Sequence, residues 1–280
     1  MAGNAATAPR PAPPAERNAL RRRILSALVL VPVALAAIWI GTPATAPMVA
    51  LAAGIMAWEW GRLIGRLTTP VDSALFAGTG MAAVLLAGFL SVESGALAAS
   101  AGTALLILLG GKRRPGWTGF GMIWILLGTI GFVWLRADPI AGLATALWML
   151  ALVWAIDTAA YVVGRSIGGP KLAPRISPNK TWSGLLGGIA AAMLVGLATG
   201  WLTKTPALWQ ITLVSGGLAV VEQIGDIAES YAKRRFGAKD SGSLIPGHGG
   251  LLDRLDGMLA VVAAIVLLYR ITGGNILTWR

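Results

Sequence analysis

The chain contains no cysteine and a single histidine in 280 residues. No disulfide framework, thiolate-bound structural zinc or cysteine nucleophile is therefore open to it. Charge is scarce as well: Asp, Glu, Lys and Arg make up 12% of residues, against about 25% in an average soluble chain. Acids are the scarcer sign, 12 against 23 Lys and Arg. Meanwhile 56% of residues are hydrophobic and the mean hydropathy is +0.71. This balance excludes an ordinary globular enzyme and a disordered tail protein, and points to a lipid bilayer as the solvent.

Residues 1–23 form an Ala/Pro-rich arm carrying Arg10, Arg17, Arg21, Arg22 and Arg23, too poor in apolar side chains to fold, and are expected to be disordered. The uncharged stretch from Ile24 to Gly41 resembles a signal peptide in its basic flank and in the small residues Ala44, Thr45 and Ala46. Its length exceeds the roughly 7 to 15 residues of a signal core, so it is read as a retained first span. Further apolar stretches lie at 46–64, 73–91, 95–111, 117–135, 139–163, 182–202, 207–225 and 255–271. Most approach the roughly 20 residues that a helix needs to cross the hydrocarbon, the stretch 95–111 being marginal. In lipid every amide must be bonded internally, and these runs do not alternate, so they are helices and not barrel strands. The fold class expected is all-α: a polytopic integral membrane protein with about nine transmembrane helices. A membrane region at 24–135 holds spans 1 to 5. A second at 139–280 holds spans 6 to 9, with polar loops at 164–181 and 226–254.

With the N-terminus placed in the cytoplasm, nineteen Lys and Arg fall on the cytoplasmic side and four on the other: Arg136, Lys204, Arg270 and Arg280. Dropping one span would invert every later loop, so the asymmetry supports both the count and the orientation. The basic surplus is topological first, and contact with anionic lipid headgroups accounts for most of it without nucleic acid.

The acids are placed differently. Seven of them lie between 157 and 256: Asp157, Glu222, Asp226, Glu229, Asp240, Asp253 and Asp256. Several sit at or inside span ends, where an ionised carboxylate costs about 2.5–3.5 kcal/mol unless a cation, a metal or water accompanies it. Spacings of four and three put Glu222, Asp226 and either Glu229 or Ser230 on one helical face, and Asp253 and Asp256 share a face at the start of the last span. Two such acidic ends could gather one hard cation such as magnesium, which takes carboxylate, water and phosphate oxygens. Alternatively the acids pair with Lys233, Arg234, Lys239 and Arg254 in a solvated loop.

The intervening loop adds Lys233, Arg234, Arg235 and Lys239, charges a triphosphate needs, and Gly247, Gly249 and Gly250, which let backbone amides approach phosphate closely. His248, the lone histidine, stands between glycines with little core to fill. Earlier, Asp157 sits in a helix otherwise free of charge, and either pairs structurally with Arg165 or Lys180 or belongs to the site. Ser177, Lys180 and Thr181 stand at the entrance to span 7, where a helix N-terminus favours an anion.

The run Ser230 to Asp256, SYAKRRFGAKDSGSLIPGHGGLLDRLD, closely resembles the signature of the phosphatidate cytidylyltransferases, also called CDP-diacylglycerol synthases. That pattern reads S-x-x-K-R, four residues, K-D, then P-G-H-G-G-x-x-D-R-x-D, with every fixed position filled here. Gly225 and Asp226, the DTAAYVVGR segment from Asp157 and SPNKT from Ser177 look like further motifs of the family. The resemblance is firm over 157 to 257, whereas spans 1 to 5 match only as hydrophobic helices. The family often has lysine at the place of Asn179, an acid at Ser183 and serine at Gly257; the first two bear on the contacts of the SPNKT loop, and none removes a carboxylate or base from the main signature.

The resemblance implies transfer of a cytidylyl group from CTP to phosphatidate, giving CDP-diacylglycerol and pyrophosphate, with Mg2+ and room for a second, monovalent cation. It implies that Asp226 and Asp253 hold the metal with Asp256 beside them, and that Lys239 and His248 join the catalytic set. His248 is expected to bind phosphate or order the loop instead of removing a proton. Lys233, Arg234, Lys239 and Arg254 would neutralise the triphosphate; Ser177, Lys180 and Thr181 would grip nucleotide or lipid phosphate. Asp157, Asp240, Gly249 and Gly250 complete the substrate-binding set. The expected location is the inner (plasma) membrane, with the site facing the cytoplasm. Gly184, Gly187 and Gly188 in span 7 permit tight helix contacts or a homodimer seam. Rival readings are a transporter, in which Asp157, Glu222 and Asp226 would carry protons or cations, and another enzyme of CTP or CDP-lipids. The D-G-x-x-A-R pattern of CDP-alcohol phosphotransferases is incomplete, because Val261 follows Ala260.

Overall fold

A computed structural model describes residues 28–242 and 249–279. The expected arm at 1–23, the start of the first span, and Pro246, Gly247, His248 and Arg280 lie outside the described residues. Among the described residues nine α-helices stand where the nine apolar stretches were expected: α1 (described over Leu28–Ile40), α2 (Thr42–Leu63), α3 (Pro70–Phe89), α4 (Val92–Gly110), α5 (Pro115–Arg136), α6 (Gly142–Ile167), α7 (Trp182–Thr203), α8 (Leu208–Arg235) and α9 (Leu252–Thr272). Helices α3 to α9 are each long and apolar enough to cross a membrane.

Local chemistry sets several boundaries. Thr69 and Asp72 form a capping box at the start of α3, the Asp72 amide donating to Thr69 Oγ1 at 3.1 Å and the Thr69 amide to Asp72 Oδ2 at 2.9 Å. Pro115 occupies the first turn of α5, where a missing N–H costs nothing. Thr181 caps α7, its Oγ1 accepting from the Gly184 amide at 3.1 Å.

Two boundary expectations need correction. The loop expected at 226–254 does not begin at 226: α8 continues to Arg235, because AESYAKRR contains no breaker and Lys233, Arg234 and Arg235 sit favourably at a helix C-terminus. The connection is therefore 236–251. The loop expected at 164–181 begins as the last turn of α6 and then folds into an antiparallel hairpin, β1 (Lys171–Ala173) with β2 (Ser177–Thr181), the one exception to helix among the described elements.

Without a hydrophobic drive between helices in lipid, close approach depends on small residues. On α7 the buried stripe Gly184, Gly188, Ala192, Gly196 and Gly200 serves this purpose inside the subunit. A Cβ on Gly184 would meet the Ala160 carbonyl of α6 at 2.8 Å, and one on Gly196 the Ile211 carbonyl of α8 at 2.8 Å. Gly187, outside that stripe, faces the Val163 side chain of α6. The three glycines considered for a dimer seam thus pack α7 onto its own neighbours. Helices α2 to α5 form one packed group and α6 to α8 another; α9 lies between them, in contact with α2, α5, α6 and α8. On α5, Gly128 receives Leu259 and Gly131 receives Val266, which lets α9 close onto the N-terminal group.

Candidate active site

The C-terminal halves of α6 and α8, the first turns of α9 and the end of the hairpin converge, and they carry all but Asp240 of the acids singled out above. On α8, Glu222 and Glu229 are buried, while Asp226 between them stays partly open. Asp157 on α6 reaches Glu222, and both lie close enough to Asp226 to act on it electrostatically. Asp256 on α9 adjoins Asp226 and Glu229 and accepts the Gly257 amide at 2.9 Å. The helices approach this closely because Gly225 faces Ala260, where a Cβ would stand 2.6 Å from the alanine methyl.

Two ammonium groups enter this cluster. Lys180, at the end of β2, places Nζ 2.5 Å from Asp226 Oδ2 and donates to Gln223 Oε1 at 2.9 Å; Gln223 in turn donates to Glu222 Oε2 at 2.7 Å. Lys233 pairs with the fully buried Glu229 one turn earlier on α8 and with Asp253 Oδ1 at 2.8 Å. Ser230 donates to Asp226 Oδ1 at 3.3 Å. Arg254 lies within electrostatic reach of Asp157.

Asp253 holds more than a cation. Its carboxylate accepts the Ser241 amide at 3.0 Å and the Gly250 amide at 2.9 Å, so the ends of the signature loop are drawn onto the start of α9. Gly249 has φ +84°, a left-handed conformation suited to glycine, and a Cβ on Gly250 would collide with Ser241 Oγ.

The structure thus brings together Asp157, Lys180, Asp226, Lys233, Asp253, Arg254 and Asp256. It does not bring every expected residue into the cluster. Thr181 caps α7 and Arg234 donates to the Ile176 and Ala238 carbonyls at 3.4 Å. Lys239 and Asp240 are exposed on the loop, and Ser177 begins β2. His248 lies outside the described residues. Arg165, one candidate partner of Asp157, instead donates to the Tyr161 hydroxyl at 2.7 Å.

Two participants, Gln223 and Glu59, lie outside the sequence reading, and Glu229 stands there as an alternative to Ser230. Gln223 relays between Lys180 and Glu222, and nothing in its spacing marks it. Glu229 was one of two choices on its helical face; it is the one buried. Glu59, in the N-terminal group, accepts the Leu251 and Leu252 amides at 3.0 and 2.8 Å. Its available signal was a lone acid within an apolar stretch.

The donors are hard oxygens, and the six carboxylates exceed the three cations Lys180, Lys233 and Arg254 beside them, a surplus that a divalent ion would offset. Among the described residues no three acids are gathered into a ready-made metal cage. Magnesium does not require one, since it keeps waters and takes ligands from phosphate.

Fold and site together define a polytopic membrane protein with a carboxylate and lysine centre at one end of its helices. The description "Cytidylyltransferase family" belongs to the family model that matches residues 21–272. A phosphatidate cytidylyltransferase of Brucella suis is 42% identical over 254 residues, which cover 89% of this chain and 92% of that protein. One of Haemophilus influenzae is 32% identical over 87% of this chain and 96% of its own length. One of Staphylococcus saprophyticus is 41% identical over 140 residues, 50% of this chain and 54% of its own. This chain belongs to the cytidylyltransferase family.

Proposed function

We propose that the chain is a phosphatidate cytidylyltransferase, which transfers the cytidylyl group of CTP to phosphatidate in phospholipid synthesis. The observation that carries this reading is the convergence of Asp226, Asp253 and Asp256 with Lys180 and Lys233, in a chain alike over nearly its whole length to proteins of that name. In the reaction an oxygen of the lipid phosphate attacks the α-phosphorus of CTP. The bond to the β-phosphate oxygen breaks and pyrophosphate leaves with the electron pair. The phosphatidate monoester is ionised at neutral pH, so no covalent nucleophile and no general base are needed, and catalysis rests on position and charge.

Asp226, with Asp256 beside it and Asp253 nearby, would hold Mg2+, which when bound supplies charge neutralisation on the phosphates. Lys180 and Lys233 are paired with carboxylates and would exchange these partners for phosphate oxygens as CTP enters. Arg254, Arg234 and Lys239 add positive charge at the mouth for the departing pyrophosphate. A second, monovalent cation would offset further carboxylate charge. We place the site at the cytoplasmic face of the plasma membrane, with the N-terminus on the same side. The distribution of lysine and arginine supports this, since the site's loops carry much of the basic excess. The same charges would hold anionic lipids. A homodimer would have to use other faces, because the α7 glycines pack against α6 and α8 within the subunit.

The test is to supply purified protein in lipid with CTP labelled at the α-phosphate and phosphatidate. Label entering the lipid, with release of pyrophosphate, is the expected result. Label confined to soluble phosphates, or transport without turnover, would reject the reading.

A further inference from the structure

We infer that Glu59 of α2 is a positioning residue for the signature loop and for the acidic start of α9, an inference that takes the proposed function as the reaction served. Glu59 is fully buried near the end of an apolar helix, and its partners lie 182 to 193 residues away along the chain. Helix α9 has no side-chain cap of its own: Leu251 stands at its N-cap position without a side-chain hydrogen bond. The first amides of a helix lack intrahelical acceptors. Glu59 provides them from another helix, with Oε1 accepting from Leu251 at 3.0 Å and Oε2 from Leu252 at 2.8 Å. A carboxylate is the favoured group there, because it meets the positive end of the helix.

The same carboxylate reaches the other end of the loop, where the Ser241 hydroxyl donates to Oε2 at 3.5 Å. Gly242 passes so close that a Cβ would stand 2.5 Å from Oε1. Asp253 binds the same two chain segments through the Ser241 and Gly250 amides. Residues 241–242 and 250–252 are therefore fastened by two carboxylates, one from the N-terminal group and one from α9 itself. Because Asp253, Arg254 and Asp256 occupy the first turns of α9, the bond to Glu59 fixes their height and rotation relative to Asp226 and Lys180. Among the described residues Glu59 forms no ion pair with Lys180 or Lys233, and it acts through the backbone it holds. This gives the N-terminal helices a part in turnover beyond membrane anchoring.

The experiment uses the full chain in lipid nanodiscs, comparing the parent with Glu59→Gln, Glu59→Asp and Ser241→Ala. Turnover, KM for CTP, thermal unfolding and amide exchange over 249–253 are measured for each. Glutamine turns one acceptor into an N–H group facing a backbone N–H. It is expected to lower kcat by about tenfold to a hundredfold, with KM for CTP within about threefold and faster exchange at Leu251 and Leu252. Aspartate, which keeps the charge, should recover at least about threefold of the lost kcat. A folded Glu59→Gln protein whose kcat lies within about twofold of the parent overturns the inference. If that variant does not fold, Ser241→Ala decides: kcat lowered about twofold to fivefold with faster exchange supports the inference, and unchanged kcat overturns it. A parent inactive on CTP and phosphatidate rejects the proposed function and the role in turnover with it. An active parent with an indifferent Glu59→Gln variant rejects this inference alone.

Discussion

Lys180 Nζ lies 2.5 Å from Asp226 Oδ2 and thereby pins the β-hairpin to α8. The same ammonium donates to Gln223 Oε1 almost one turn earlier, so a single lysine spans two positions on the helix. Asp226 retains 29% side-chain exposure and Lys180 15%, which leaves both groups reachable from solvent. A pair of this kind is open to exchange: a phosphate can replace the carboxylate as the lysine's partner, and a metal can replace the lysine as the carboxylate's.

Removing either charge should therefore cost activity more than stability. Asp226→Asn is expected to lower kcat by about 10²–10³-fold, the range for one lost electrostatic contact to a developing charge. Lys180→Met should fall in the same range and raise KM for CTP as well. Both variants should elute from size exclusion as the parent does. Turnover within about threefold of the parent in Asp226→Asn would exclude it as a metal ligand.

Asp253 should behave differently, because it binds structure as well as charge. Asp253→Ala strands the Ser241 and Gly250 amides and leaves Lys233 with Glu229 alone. Deleting one partner of a buried pair costs about 3–5 kcal/mol. The alanine variant should therefore lose thermal stability in detergent together with activity. Asp253→Asn, which still accepts from the amides at one oxygen, should keep most of the stability while remaining inactive. Equal unfolding temperatures for parent and alanine variant would contradict the fastening of Ser241 and Gly250 by Asp253.

Much of this was legible in the sequence, for identifiable reasons. Hydrophobic runs long enough to cross a bilayer leave only helices as an answer, so α1 to α9 appear where the runs are. The spacing of Glu222, Asp226 and Glu229 places them on one face whatever the tertiary packing. The end of α8 was not legible from hydropathy, because AESYAKRR is polar yet strongly helical, and hydropathy does not separate a polar helix from a loop. The hairpin was hidden by strands of only three and five residues and by the prolines about them. Glu59 and Gln223 depend on contacts between distant segments, and no local pattern encodes such contacts.

Chelation offers a test that separates chemistry from folding. Lys180 pairs with Asp226, and Lys233 with Glu229 and Asp253, so the protein's own cations offset part of the acids' charge. Treatment with EDTA should therefore reduce turnover to below about 1% while shifting the unfolding temperature little, and added Mg2+ should restore activity. A large fall in unfolding temperature on chelation would mean that the acids need the ion to fold, contrary to the pairing seen here.

The closeness of α8 and α9 can be tested without touching a charge. Gly225 lies where a Cβ would meet the Ala260 methyl at 2.6 Å and the Asp256 carbonyl at 3.1 Å. Gly225→Leu must push the helices apart and carry Asp226 away from Asp256. A displacement of about 1 Å at reacting groups can cost about a hundredfold in rate, so kcat should fall by that order. Gly217, two turns earlier on the same helix, has open space where its Cβ would be. Gly217→Ala should leave turnover unchanged and stabilise α8 by up to about 1 kcal/mol, through helix propensity. Kinetics and thermal unfolding of the two variants side by side distinguish a packing requirement at Gly225 from a general intolerance of α8 to substitution. Full activity in Gly225→Leu would mean that the site does not depend on Asp226 and Asp256 standing together.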